Sequence, residues 1–238
     1  FGGAFLILML LLLTFAFVFP MPGQSFPRVF VQADSPVTIA AASLPIKPEE
    51  TTTDWLDALI WMRSNESVRV VASWWDYGYW ITTIANKTTL VDNATINQTQ
   101  IQLVAKMFLS NETEAIKFLK EHDVTHVLVF VVADYQGSDT GWADEGKWRW
   151  MARIAEPLTG LNDTAYFKED SWNERGQNTV IFKLMEYAKG KRISTYNVVY
   201  GTQILPQLQH FRLVYFSNGK LVLGTYYPIV AIYEVLYE

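Results

Sequence analysis

The first nineteen residues, Phe1 to Phe19, contain no charged side chain and are almost entirely apolar. At about 1.5 Å per residue, a helix of this length is roughly 28 Å long, close to the hydrocarbon thickness of a bilayer. A secretory signal has a basic region before a shorter apolar core, and this run has neither. The run therefore predicts a transmembrane helix over residues 1–19, ended by Pro20 and Pro22. A buried core helix is the alternative, and we expect the chain to begin inside a larger membrane protein.

The rest of the chain predicts an α/β fold class: one transmembrane helix followed by a mixed α/β globular domain with an antiparallel β segment at the C-terminus. Residues 20–50 are rich in proline and predict an external linker. Residues 51–193 alternate between helix and strand patterns, an order that favours a mostly parallel sheet. Residues 194–238 predict antiparallel β structure, because two apolar runs flank the turn sequence at 217–220.

The individual elements are predicted from the periodicity of apolar residues. We predict helices over residues 54–64, 79–85, 98–109, 112–122 and 144–155, and strands over 68–72, 89–91, 124–132, 179–186, 211–216 and 221–227. Asn111 followed by Glu114 forms a capping box for the fourth helix. The run from Val124 to Val132 is nearly all apolar and β-branched, which predicts a fully buried strand.

Composition narrows the classes of function. The 19 Lys and Arg against 24 Asp and Glu give a net charge of −5, which argues against a nucleic-acid partner. The absence of cysteine excludes disulfides, thiolate nucleophiles and cysteine-based zinc sites. The 9 Trp, 12 Tyr and 14 Phe form a large aromatic content, and aromatic residues often line sites for sugars, peptides or lipid interfaces.

Asn-x-Ser/Thr sequons are more frequent than chance predicts. A chain of this composition should contain about one by chance. The sequons begin at Asn65, Asn86, Asn93, Asn97, Asn111 and Asn162. The excess predicts a cell-membrane protein whose globular domain lies on the extracytoplasmic side, where asparagine is glycosylated. For any single sequon, the crowding of Asn and Thr into polar loops is the alternative explanation.

The sequence Trp74-Trp75-Asp76-Tyr77-Gly78 lies just past the carboxyl end of a predicted buried strand, where open α/β sheets place binding sites. A carboxylate between two indoles can accept a hydrogen bond from a small aliphatic hydroxyl while the rings exclude water. A partner without that hydroxyl would leave the acid partly unsatisfied, at a cost of about 1–3 kcal/mol. An aromatic core cluster with a helix-capping aspartate is the alternative.

This pentapeptide is the WWDYG signature of oligosaccharyltransferase catalytic subunits, and the chain resembles the carboxyl-terminal part of the archaeal members over nearly its whole length. A second motif supports the resemblance. Asp144, Lys147 and Met151 stand at i, i+3 and i+7, so one helix face can carry all three. Their spacing and surroundings resemble the archaeal DK motif. An ordinary capped amphipathic helix is the alternative for this second motif.

The resemblance implies a role for each matching residue. In that family the WWDYG residues bind the hydroxyl of the acceptor Ser or Thr, two positions after the modified Asn. Carried over, this acceptor pocket consists of Trp74, Trp75, Asp76 and Lys147. Tyr77 and Gly78 shape the loop, Asp144 helps to fix the local structure, and Met151 is carried over as a packing member of the motif.

The resemblance also implies a glycosyltransferase of protein N-glycosylation. It transfers a glycan from a dolichyl phosphate or diphosphate carrier to the Asn amide of Asn-x-Ser/Thr, so its partners are an acceptor polypeptide, a lipid-linked oligosaccharide and the membrane. The reaction requires Mg²⁺ or Mn²⁺ bound by loops outside this chain. Asp139, Asp144 and Glu145 lie close in sequence but do not predict a replacement site. We therefore expect no catalytic residue and no metal ligand here, and no activity from this chain alone.

Two other classes of function remain open. A membrane-tethered, non-enzymatic carbohydrate- or peptide-binding module would also explain the aromatic content and the apolar run. A hydrolase on the α/β core has little support, because the sequence has no G-x-S-x-G elbow.

Overall fold

The computed structural model describes residues 2–20, 23, 25–27, 29–30, 38–39, 41–42, 44, 46, 50–134, 138–195, 205–217 and 221–237, with the backbone alone for 192–195. The chain divides into two compact units, Phe1–Thr51 and Thr52–Glu238.

The first unit contains helix α1, Gly2–Val18, which has 17 residues and no buried side chain. Among the described residues, no helix combines the length and the apolar character needed to cross a membrane. The predicted transmembrane helix over residues 1–19 is therefore not confirmed. Pro20 forms an isolated bridge with Pro27, whereas Pro22 and most of the predicted linker over residues 20–50 lie outside the described residues.

The second unit is built on a five-stranded mixed sheet. Its strands are β1 (Val70–Ala72), β2 (Thr88–Thr89), β3 (His126–Ala133), β6 (Phe211–Phe216) and β7 (Tyr227–Val235), in the spatial order β2-β1-β3-β7-β6. The first three are parallel, and β7 pairs antiparallel with both β3 and β6. The mixed α/β class with antiparallel strands at the C-terminus is confirmed, and those strands extend the same sheet. A separate hairpin joins β4 (Phe167–Lys168) and β5 (Ser171–Trp172).

Strand β3 forms the centre of the core, and all eight of its residues are buried. Its apolar, largely β-branched sequence suits a central strand that has neighbours on both edges. Tyr233 of β7 donates a hydrogen bond to the carbonyl of Leu184 at 2.7 Å, which fixes one helix against the sheet. The prediction of a fully buried strand in this region is confirmed.

Seven helices of this unit are described: α2 (Asp54–Ser64), α3 (Gly78–Thr83), α4 (Gln98–Leu109), α5 (Glu112–Glu121), α6 (Asp144–Thr159), α7 (Glu174–Gln177) and α8 (Val180–Thr195). Helices α2 and α4 have the predicted bounds. The side chain of Asn111 accepts a hydrogen bond from the backbone N–H of Glu114 at 2.9 Å, so the predicted cap starts α5. Helix α6 is one turn longer than predicted and ends at Thr159. Gly160 follows it, and its φ of +67° is the left-handed conformation common after a helix C-terminus.

Two predicted strands are wrong. From Val180 onward the predicted strand over 179–186 belongs to helix α8, because the buried positions of this segment follow a helical spacing: Val180, Ile181, Leu184, Met185 and Ala188. The strand predicted over 221–227 is also wrong, because the observed strand, β7, begins only at Tyr227. Leu223 and Gly224 both have positive φ and interrupt the extended chain before it, while residues 218–220 of the predicted turn lie outside the described residues.

A buried ion cluster holds α8 against the start of α6. The Nζ of Lys189, only 1% exposed, lies 2.7 Å from a carboxylate oxygen of Glu145 and 2.5 Å from one of Glu186, and it also contacts Asp139. Burial lowers the pKa of Lys189, but the attraction of the three carboxylates outweighs it and holds the pKa above its usual value. The cluster is therefore a structural link between the two helices.

We expect Lys189→Met to destabilise the fold by roughly 3–5 kcal/mol, because it leaves buried carboxylates without a counter-charge. Urea unfolding measures the loss. Lys106→Met, at an exposed position of α4, is the matched control and should be nearly neutral. Adding Glu145→Gln to Lys189→Met should recover part of the loss. Equal stability of the Lys189 and Lys106 variants would contradict this account.

Candidate functional site

The WWDYG sequence forms a tight turn at the carboxyl end of β1. Residues Trp75–Tyr77 make a 3₁₀ turn, and α3 begins at Gly78. Trp74 is buried, whereas Trp75 and Asp76 are half-buried, and the rings of the two tryptophans lie 6.2 Å apart. Trp75 is thus the more accessible of the two indoles beside the acid.

Asp76 and Lys147 converge, as a shared pocket requires. The Nζ of Lys147 on α6 lies 2.5 Å from Oδ2 of Asp76, with side-chain exposures of 24% and 26%. The second carboxylate oxygen, Oδ1, is buried and has no hydrogen-bond partner among the described residues. A buried acceptor without a donor is costly, so this atom is the most informative feature of the site.

Tyr77 connects this ion pair to the core. Its hydroxyl accepts a hydrogen bond from the Nζ of Lys147 at 3.0 Å and donates one to Oδ1 of Asp144 at 2.7 Å. Oδ2 of Asp144 in turn accepts from the backbone N–H of Phe130 in β3 at 2.8 Å. The resemblance implied only a loop-shaping role for Tyr77. Residue spacing does not reveal that its hydroxyl lies between Lys147 and Asp144.

Burial sets the electrostatics of this chain of hydrogen bonds. It raises the pKa of Asp144 to about 6, although Lys147 and the donors from Phe130 and Tyr77 lower it. Burial, followed by the charge of Asp144, raises the pKa of Tyr77 well above its ordinary value. Tyr77 therefore keeps its proton and acts as the donor to Asp144.

Aromatic packing fixes the Tyr77 ring. The ring of Trp55 from α2, which is fully buried, lies 4.7 Å from Tyr77, 4.9 Å from Trp80 and 5.3 Å from Phe130. Tilted and edge-on contacts at such distances are favourable beyond their burial. The Nζ of Lys147 also lies 4.4 Å from the centre of the Tyr77 ring, so ring and hydroxyl both hold the ammonium.

The surroundings of two further motif residues indicate structural roles. Met151 is fully buried on α6. At Gly78, a Cβ would lie 2.4 Å from the Cα of Asp92 and 2.5 Å from the carbonyl oxygen of Val91. Because no real Cβ approaches backbone so closely, only glycine fits here, and it brings the turn directly onto the segment that follows β2.

The acidic cluster around Lys189 does not fit a metal site. One oxygen from each of Asp139, Glu145 and Glu186 lies within 4.8 Å of the others, a spacing that could hold a cation. The ammonium of Lys189 already contacts all three carboxylates. A cation of the protein itself therefore already lies among these oxygens, and we derive no chemistry from a metal there.

The described surface also has an open groove of about 840 Å³ between α4, α5 and the end of α6. None of the WWDYG or DK residues lines it. Its charged lining is balanced, with three basic and three acidic side chains: Lys106, Lys117, Arg175, Glu114, Glu121 and Glu174. Size alone therefore does not make it the candidate site.

Comparisons with known proteins agree with the WWDYG motif, which lies inside the region that matches a family. Residues 67–126 match the family described as the STT3/PglB/AglB core domain. The chain is 37% identical over 157 residues to the dolichyl-diphosphooligosaccharide–protein glycosyltransferase subunit stt-3 of Caenorhabditis elegans, over 60% of this chain and 20% of that protein. It is 39% identical over 127 residues to subunit STT3 of Saccharomyces cerevisiae, over 52% of this chain and 17% of that protein.

A similar solved structure is the C-terminal globular domain of an oligosaccharyltransferase from Archaeoglobus fulgidus, at 26% identity and a TM-score of 0.48, over 78% of this chain and 99% of that one. The resemblance predicted from the motifs, to the STT3/PglB/AglB family, is confirmed. The chain spans about a fifth of the length of these curated relatives.

The raised pKa of Asp144 makes stability depend on pH. Its carboxyl binds a proton more tightly in the folded than in the unfolded chain. This contribution is complete below about pH 4 and is lost as the pH rises through about 6, at no more than about 1.4 kcal/mol per pH unit. Other carboxyls add their own slopes, so the difference between the unchanged chain and Asp144→Asn isolates the effect in urea unfolding.

Asp170→Asn is the matched control, because Asp170 is exposed and asparagine tolerates its φ of +58°. This variant should keep the slope of the unchanged chain. The carboxyl carbon of Asp144 should titrate near pH 6 by NMR, and a midpoint near 4 would refute the assignment even if the Asp144 variant folds poorly.

Proposed function

We propose that this chain is the acceptor-recognising part of an oligosaccharyltransferase. In the complete enzyme, a glycan passes from a dolichyl phosphate or diphosphate carrier to the Asn amide of Asn-x-Ser/Thr. Asp76 binds the hydroxyl of the Ser or Thr two positions after that Asn. The observation that carries the proposal is the buried Oδ1 of Asp76, which has no hydrogen-bond donor in the described structure while Oδ2 is paired with Lys147.

The pocket can satisfy a hydroxyl in both of its hydrogen-bonding roles. The hydroxyl proton points to Oδ1 of Asp76, which supplies the acceptor. Lys147 has three N–H donors, two of which reach Asp76 and Tyr77 in the described structure. The third is available for the lone pair of the hydroxyl oxygen. A residue without a hydroxyl leaves both protein groups unsatisfied.

The indoles make this discrimination effective. Trp75, next to Asp76 in the chain, is half-buried, and its ring lies 6.2 Å from that of the buried Trp74. We expect a side chain bound at these rings to displace water from the carboxylate. Leaving a buried acceptor unpaired costs about 1–3 kcal/mol, which corresponds to a preference of roughly five- to 150-fold for Ser or Thr over Ala.

The wider parts of the proposal follow from relatives and sequence. The similar curated proteins are named dolichyl-diphosphooligosaccharide–protein glycosyltransferase subunits, which supports a lipid-linked donor. The sequons and the apolar helix α1 support a membrane location with the globular domain outside. Mg²⁺ or Mn²⁺ belongs to parts of the enzyme outside this chain, where such an ion offsets charge on the departing phosphate.

We predict that Asp76→Ala in the full-length enzyme lowers glycan transfer to an Asn-x-Thr peptide by at least about tenfold, because the hydroxyl loses its acceptor. The ratio of transfer to Asn-x-Thr and Asn-x-Ala peptides should also fall towards one. Both follow from kcat/KM measured with labelled peptides.

Asp76→Asn preserves the shape and removes the charge, so it separates packing from recognition. Asp170→Asn makes the same chemical change at an exposed position and should leave transfer and selectivity unchanged. Unaltered selectivity in both Asp76 variants would refute the pocket. Peptide binding without any transfer by the full-length protein would favour the non-enzymatic module.

A further inference from the structure

We infer that Asn93 is a positioning residue for Asp76, an inference that rests on the proposed function. Its side-chain Nδ2 donates a hydrogen bond to the backbone carbonyl of Asp76 at 2.9 Å. Its Oδ1 accepts one from the backbone N–H of Tyr79 at 3.1 Å. One carboxamide thus spans the backbone from the acid to the start of α3, and we call this pair of bonds the Asn93 clamp.

The clamp replaces a local helix cap. The first N–H groups of a helix have no acceptor within the helix. Tyr77, at the N-cap position of α3, makes no side-chain capping bond to the described residues of this helix. Asn93 supplies that acceptor to Tyr79 from fourteen positions along the chain. The geometry of the turn that presents Asp76 therefore depends on a residue outside the WWDYG sequence.

Asn93 is itself held by a built turn. The side chain of Asp92 accepts a hydrogen bond from the N–H of Ala94 at 2.9 Å, and its carbonyl accepts one from the N–H of Thr95 at 3.2 Å. The close approach of Gly78 to Asp92 keeps this turn against the WWDYG backbone. The clamp is thus a contact between two fixed segments, although the Asn93 side chain is exposed.

Asp76 is consequently held at both of its ends. Lys147 fixes the carboxylate, and the Asn93 clamp fixes the carbonyl of the same residue. Losing the clamp frees the backbone while the ion pair persists, so Oδ1 no longer faces the acceptor hydroxyl in one orientation. Acceptor binding should weaken before the fold does.

The same residue opens the sequon Asn93-Ala94-Thr95. In the structure its Nδ2, the atom that a glycan would modify, is hydrogen-bonded to Asp76. We therefore expect the carboxamide of Asn93 to be required for acceptor binding and the sequon itself to be dispensable. Two substitutions separate these properties.

Asn93→Asp in the full-length enzyme keeps the size and the acceptor for Tyr79 but turns the donor into an oxygen facing the Asp76 carbonyl. We expect a roughly three- to tenfold rise in the KM for an Asn-x-Thr peptide, with kcat and the thermal midpoint nearly unchanged. Thr95→Ala removes the sequon and leaves the clamp, because neither hydrogen bond of the clamp involves the Thr95 side chain. It should behave as the unchanged enzyme.

Amide hydrogen exchange of Tyr79 provides a readout that does not depend on activity. Asn93→Ala should accelerate exchange at this N–H, while Thr95→Ala should not. An unchanged KM in Asn93→Asp, or an equal rise in Thr95→Ala, would overturn the inference. If Asp76→Ala leaves selectivity intact, the proposed function fails, and Tyr79 exchange still shows whether Asn93 holds the turn.

Discussion

The hydroxyl of Tyr77 is the link through which the candidate site is attached to the fold. It lies between the ammonium of Lys147 and the carboxylate of Asp144, whose other oxygen is bonded to the backbone of Phe130. Because Phe130 belongs to the central strand, the position of the ammonium follows from the sheet itself. A pocket whose side chains are held by further hydrogen bonds to the core keeps its geometry without the ligand.

Two lysines of this protein, Lys189 and Lys147, are paired with carboxylates, and the two arrangements have different roles. Lys189 is almost wholly buried among three carboxylates, so its cluster is saturated and its role is to join helices. Lys147 is about a quarter exposed and is paired with one oxygen of Asp76, while the other oxygen is unpartnered in the described structure. Satisfied polar clusters stabilise, whereas an acceptor left without a donor can take a hydrogen bond from a ligand. The difference in hydrogen bonding, and not the residue types, separates the candidate site from the structural cluster.

The sequence predicts the outline of the fold and the motif residues, but not the contacts between them. Helix α2 and strand β3 are predictable because their apolar spacing extends over enough residues to define a period. The segment that begins at Val180 is too apolar and β-branched over its first residues to reveal its helical period. The Asn93 clamp joins Asn93 to the backbone carbonyl of Asp76, seventeen positions away. A bond from a side chain to such a distant backbone group has no sequence pattern of the kind that marks a local helix cap. Likewise, the bond from Tyr77 to Asp144 connects residues 67 positions apart.

In the proposed function, the backbone of the acceptor peptide limits the distance between the Ser/Thr pocket and the place where the Asn is modified. Two extended residues span at most about 7 Å, so the Cα of the acceptor Asn lies within about that distance of the Cα of the residue held by Asp76. The groups that transfer the glycan need not belong to this domain, but they must approach the exposed side of the WWDYG turn. This requirement explains why rigidity matters at Asp76. Each ångström of freedom in the bound hydroxyl becomes freedom of the reacting amide, and fixed geometry at the reacting atoms is a large part of catalysis.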